Sequence, residues 1–205
     1  MVRSHVWRIG SLLASLTLGM AGCATARHED SVAAAAKLTQ PVELDAAALG
    51  YNLHAWQLGD VTVAGQPTQE RLERFISDGG TLVVNIRTPQ EMADRQRLPL
   101  DEEAVVRSNG AEYLFIPLGG QKEEFPFTTK ATDEFLAALE RHKGQKVLMH
   151  CHVGYRASHL WAAALVRSGR ATPDTAHALA QKMLFGNIPF EGLSGTKVHF
   201  EPVSN

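Results

Sequence analysis

The sequence predicts an α/β domain, a mostly parallel sheet flanked by helices. Three observations carry this. Apolar strand-like runs alternate along the chain with segments whose apolar residues recur at helical spacing. The stretch Lys146 to Ser168 reads as strand, tight loop and helix. Val147, Leu148 and Met149 suit a strand buried on both faces, and Leu160, Ala163, Ala164 and Leu165 recur at helical spacing beyond it. Finally, Arg87, the 119–124 loop and Cys151 each follow a strand, so they should gather at the carboxyl edge where such sheets hold ligands.

Taken in order, residues 1–22 have the pattern of a secretory signal, with Arg3 and Arg8 ahead of an apolar stretch from Ile9 to Met20 that is too short to span a bilayer. Residues 23–50 are Ala-rich and polar and read as a tether, with one loose helical turn near Asp45 to Leu49. The folded domain is expected over 51–205. His54 to Leu58 and Val61 to Ala64, joined at Gly59-Asp60, form a hairpin. Thr68 caps a helix with Leu72, Phe75 and Ile76 on one face, which stops at Gly79-Gly80. Thr81 to Ile86 is a buried strand, followed by a loop over Arg87 to Glu91. A helix runs from Asp101 to Gly110 and a strand from Glu112 to Leu118. After the polar 119–124 loop, Thr128 or Thr129 caps a helix with Phe135, Ala138 and Leu139 inside. Thr172-Pro173 opens the last clear helix, and Phe185 to Asn205 looks irregular.

Composition narrows the partners. Of 205 residues, 44% are hydrophobic and 20% charged, ordinary for one globular domain. Removing residues 1–22 takes away Arg3 and Arg8 and no acid, so 20 basic residues become 18 against 22 acids, a net charge of −4. That excludes the strongly basic face of a nucleic-acid binder. There are two cysteines. If Cys23 carries lipid, Cys151 has no internal disulfide partner, which marks it as a candidate reactive thiol.

Chemistry concentrates in Cys151-His152-Val153-Gly154-Tyr155-Arg156. Successive amides in such a loop, with the N–H groups of a helix start, form a cradle for a phosphate-like anion. The same positive surroundings favour a nucleophilic sulfur. Arg156 offers a planar fork for two oxygens, and Gly154 lets the backbone turn closely. His150, Cys151, His152 and His159 could be read as a metal cluster, but adjacent strand residues point to opposite faces, so neither metal nor organic cofactor is expected.

Met20-Ala21-Gly22-Cys23 resembles the lipobox of bacterial lipoproteins. It implies a chain anchored through Cys23 in the cell envelope, facing the periplasm, with the outer membrane favoured. Separately, VAGQPTQERLERFISDGGTLVVNIR, YLFIPL and HCHVGYRAS, within about Asp60 to Phe185, resemble the phosphatase-like domain also found fused to β-lactamase-like hydrolases. That family belongs with the dual-specificity protein tyrosine phosphatases. The resemblance implies their fold and phosphoryl transfer through a phosphocysteine at Cys151. Arg156 and the amides of His152 to Arg156 would bind the anionic substrate. Tyr155, Ala157, Ser158 and Arg87 would join the binding surface.

Three departures stand out. Four residues separate Cys151 from Arg156, as in rhodanese-like sulfurtransferases, where the phosphatases have five. Ala157 follows the arginine where phosphatases carry Ser or Thr. The general-acid loop offers Glu123 and Glu124 in place of Asp. The alternatives are therefore a sulfurtransferase using a Cys151 persulfide and a non-catalytic anion-binding module. Helix following helix through Arg170 to Pro173 matches the phosphatases, which makes phosphatase the leading expectation.

Overall fold

A computed structural model describes residues 40–120, 124–183 and 188–198. Six strands form one sheet: β1 (Val42–Glu43), β2 (Ala55–Leu58), β3 (Val61–Ala64), β4 (Gly80–Asn85), β5 (Glu112–Phe115) and β6 (Lys146–His150), in the order β1-β2-β3-β6-β4-β5. β3, β6, β4 and β5 are parallel, while β1 and β2 extend the sheet by antiparallel pairing. The fold class is as expected, α/β with a mostly parallel sheet between helices.

Alternation along the strands divides the core in two. Val147, Met149 and Cys151 join the cluster that holds Phe135, Leu160 and Leu193, while Leu148 joins Leu72, Phe75 and Val106. On the first face lie α5 (Thr129–Arg141), α6 (Tyr155–Arg167), α7 (Pro173–Met183) and α8 (Phe190–Ser194); on the second lie α2 (Gln69–Ser77) and α4 (Glu102–Ser108). A fully buried Phe135 or Leu160 contributes about 1.5–3 kcal/mol of transfer free energy. Local signals set the ends. Thr68 Oγ1 accepts the Arg71 amide at the start of α2, and Gly79 beyond its end has φ +93.

Three expectations need correction. The domain does not begin at 51. β1 pairs with β2 (Val42↔Gln57, Glu43↔Trp56), and a short helix, α1 (Ala46–Leu49), is capped by Asp45 and buries Ala46, so this end of the expected tether completes the sheet edge. The expected loop at 87–91 contains a helix, α3 (Pro89–Ala93), made by a capping box. Thr88 Oγ1 accepts from the Glu91 amide while the Glu91 carboxylate accepts from the Thr88 amide. The expected irregular C-terminal stretch contains α8, which buries Phe190 and Leu193. The signal segment, Cys23 and Glu123 lie outside the described residues. Among the described residues, no helix is long and apolar enough to cross a membrane.

Candidate active site

Ala64, His150 and Asn85 form one rung across β3, β6 and β4, so the residues after them emerge together at the carboxyl edge. From β6 the chain turns at once into α6. The turn needs Gly154, whose φ is +95, and a side chain there would press within 3.2 Å of Trp56 and 3.3 Å of Ala64. Val153 forms a bridge to Gly65, where a Cβ would fall 1.8 Å from the Asn52 carbonyl oxygen; only glycine allows that approach.

The sulfur lies at the helix start. Cys151 is 1% exposed, and its Sγ accepts the Gly154 N–H at 3.2 Å. The intrahelical ladder begins with the Ser158 N–H on the Gly154 carbonyl, so the amides of Tyr155, Arg156 and Ala157 have no helix carbonyl to meet. The Gly154 N–H that meets the sulfur immediately precedes them.

Arg156 is held in a fixed attitude by a residue the sequence reading missed. Its Nη1 donates to Glu91 Oε2 at 2.8 Å and to the Leu118 carbonyl at 2.8 Å, and its Nη2 donates to Glu91 Oε1 at 2.7 Å. Burial alone would raise the Glu91 pKa. The Arg156 hydrogen bonds, the Thr88 amide and the charges of Arg156 and Arg87 overturn that and hold it at about 2. Arg156 shifts upward in turn: burial opposes its charge, but Glu91 and the nearby Cys151 sulfur more than offset this. A guanidinium has five N–H donors, and Glu91 and the Leu118 carbonyl leave Nε–H and the second Nη2–H side by side on one edge, with the Cys151 sulfur as a further hydrogen-bond partner of the group. That edge is a fork matched to two oxygens of a phosphoryl group.

A cleft of about 570 Å³ opens here, lined by Thr88, Gln90, Glu91, Gly119, Glu124 and Arg156. Glu124 thus shares the cleft with Arg156, exposed and accepting a hydrogen bond from Gln90 Nε2 at 2.7 Å. A second cleft of about 620 Å³ is lined by His152, Arg87, Asn52, Gln66, Arg97 and Leu98, among others. Residues of the Cys151 loop therefore border both. Burial and the charge of Arg87 lower the His152 pKa, so its ring reaches that cleft uncharged.

Other expected contacts fall elsewhere. Arg87 is 5% exposed and bound to Gln66 Oε1 at 2.8 Å and the Glu91 carbonyl at 3.3 Å, which makes it a support for Glu91 more than an open anion contact. Ser158 is fully buried, and its hydroxyl donates to the Tyr155 carbonyl at 2.9 Å inside the helix, so its side chain does not face substrate. Ala157 is likewise buried in the core and can offer only its amide. Tyr155 stacks edge-on against His159, with its hydroxyl buried. His150 bonds Glu102 on one face of the sheet, and His159 bonds the Tyr155 carbonyl on the other. Glu91 had a readable signal, Thr88-Pro89-Gln90-Glu91 directly after a strand, which is a capping box.

This layout can be set beside known proteins. No family model matches the chain. Over 119 residues, 58% of the chain, it is 29% identical to the β-lactamase hydrolase-like protein of Xylella fastidiosa (strain Temecula1), and an equal match is found in strain 9a5c. The matched stretch is 26% of those proteins, so the chain spans about a quarter of the length of the curated relatives it matches. Among solved structures, a candidate phosphatase (DUF442) from Shewanella putrefaciens CN-32 superposes with TM-score 0.53 and 21% identity, over 80% of this chain and 94% of that one. The fold is that of the cysteine phosphatases. PTPMT1 agrees at TM-score 0.53 and 18% identity, over 65% of this chain and 85% of its own. So does TpbA of P. aeruginosa, solved in complex with pTyr, at TM-score 0.51 and 13% identity, over 70% and 78%.

Proposed function

We propose that the chain is a cysteine-dependent phosphatase. The reading rests on one observation. Cys151 Sγ accepts the Gly154 N–H at the start of α6 while the Glu91 clamp takes the end of the Arg156 guanidinium and leaves its side to the Cys151 loop. In the first step the Cys151 sulfur attacks phosphorus, forming S–P as the P–O bond to the leaving group breaks. Arg156 and the loop amides bind the equatorial oxygens where charge gathers. The leaving oxygen takes a proton from a carboxylic acid of the first cleft. Glu91, held ionised by Arg156, is unsuited to that role, which leaves Glu124 among the described residues. Water then hydrolyses the phosphocysteine, with Glu124 receiving its proton. Ala157 has no hydroxyl to aid this second step, so turnover is slow. No metal or organic cofactor takes part. On this reading lipid on Cys23 anchors the enzyme in the cell envelope, facing the periplasm, at the outer membrane.

The test assays one preparation in parallel for metal-independent hydrolysis of a small aryl phosphate and for thiosulfate-to-cyanide sulfur transfer. Slow phosphate release, abolished by Cys151→Ser and by Arg156→Ala, is the expected result. Cys151-dependent sulfur transfer without phosphate release would make the protein a sulfurtransferase, and neither activity would leave it an anion-binding module.

A further inference from the structure

On the face of the sheet away from the thiol lies a buried carboxylate that the phosphatase chemistry does not use. Glu102, on α4, is 1% exposed. Its Oε1 accepts from His150 Nε2 at 2.7 Å and from Asn85 Nδ2 at 3.1 Å, and its Oε2 accepts from Gln66 Nε2 at 2.7 Å. The three donors come from three neighbouring parallel strands. His150 ends β6, Asn85 ends β4, and Gln66 follows β3. The same donors reach the active edge. Gln66 Oε1 accepts from Arg87 Nη1 and Asn85 Oδ1 accepts from the Arg87 amide, both at 2.8 Å. His150 is bonded directly to Cys151 in the chain, and its Nδ1 lies 3.5 Å from the Cys151 carbonyl.

A buried carboxylate is costly unless it is paired and hydrogen-bonded. Burial would raise the Glu102 pKa, and His150 above all, with Gln66 and Arg87, turns the shift downward. An ionised acceptor at 2.7 Å requires a proton on His150 Nε2. Tyr113, from β5, accepts from Asn85 Nδ2 at 2.9 Å; burial and the charges of Glu102, Glu103 and Asp101 push its hydroxyl pKa up, so it adds no charge. The charged and titratable groups around the pair are therefore Arg87, Tyr113, Glu103, Asp101 and Cys151.

We propose that Glu102 is a positioning residue for the active site. It fixes His150 with Nε2 protonated and ties together the ends of β3, β6 and β4, so that Cys151 and Arg87 keep their places. Only the kinetic part of the test rests on the phosphatase reading. In the unsubstituted full chain, ring ¹⁵N NMR should show His150 Nε2 protonated across neutral pH. Glu102→Gln should retain native circular dichroism and shift the His150 ring resonances. It should slow alkylation of Cys151 by iodoacetamide, and slow kcat on an aryl phosphate, by roughly ten- to hundredfold with KM little changed. Combined with His150→Gln, it should cost no more than the larger single effect. A folded Glu102→Gln protein with unchanged ring resonances and alkylation overturns the proposal, whether or not the chain hydrolyses phosphate. An unprotonated Nε2 in the unsubstituted protein overturns it as well, and that reading requires no variant to fold.

Discussion

Glu91 decides how Arg156 can meet a ligand, because it takes the end of the guanidinium and leaves the side. Replacing it by Gln should free the arginine to rotate and weaken transition-state binding. The folding contribution has a defined sign. The carboxyl titrates at about 2 in the folded chain against an ordinary 4.5, so the unfolded chain binds the proton more readily. The stabilisation is complete above about pH 4.5 and is lost as pH falls through about 2. The side chain is 29% exposed, so solvent screening trims it to about 1–2 kcal/mol. Urea unfolding of Glu91→Gln beside the unsubstituted chain should show that gap at pH 7 and little of it near pH 2. An equal gap at both would assign the effect to packing instead of charge.

The turn from β6 into α6 depends on Gly154 in the same way. Gly154→Ala places a Cβ against Trp56 and Ala64 in a left-handed backbone, at a cost of about 1–2 kcal/mol. It should also slow Cys151 alkylation, since the Gly154 N–H that meets Sγ would be re-aimed. Denaturant melts and alkylation rates check both, and a neutral result in each would show that the turn tolerates a side chain. This element was readable in the sequence because apolar runs, a glycine and helical spacing are local features. The β2–β3 hairpin and the Thr68 cap were readable for the same reason. β1 is two residues long and is defined by pairing with a strand thirteen or more positions away, for which no local pattern exists. Glu102 follows a recognisable cap at Asp101, yet its burial depends on Gln66 and His150, 36 and 48 residues distant. The convergence of Arg87, Gly119, Glu124 and the Cys151 loop at one edge was foreseeable from strand order. The inward turn of Arg87 was not, since it follows from the capping box that brings Glu91 beside it.

At the scale of the whole chain, the signal pattern and Cys23 predict a tethered enzyme. From Cys23 to Val42 the chain can extend at most about 65 Å, which for a chain anchored at Cys23 bounds how far from the bilayer the sheet can work. Membrane fractionation should find the mature protein with membranes and Cys23→Ala released from them; a soluble unsubstituted protein would remove the anchor from the proposal. The sheet order carries a separate consequence for biogenesis. β6 lies between β3 and β4 but is synthesised after both, so a growing chain holds an empty slot at the centre of its sheet. The strand that fills the slot is the one that delivers Cys151 to the Gly154 N–H at the start of α6. The contact between Cys151 Sγ and the Gly154 N–H therefore forms only once the last central strand is made, and an incomplete chain lacks the loop around which both clefts are arranged.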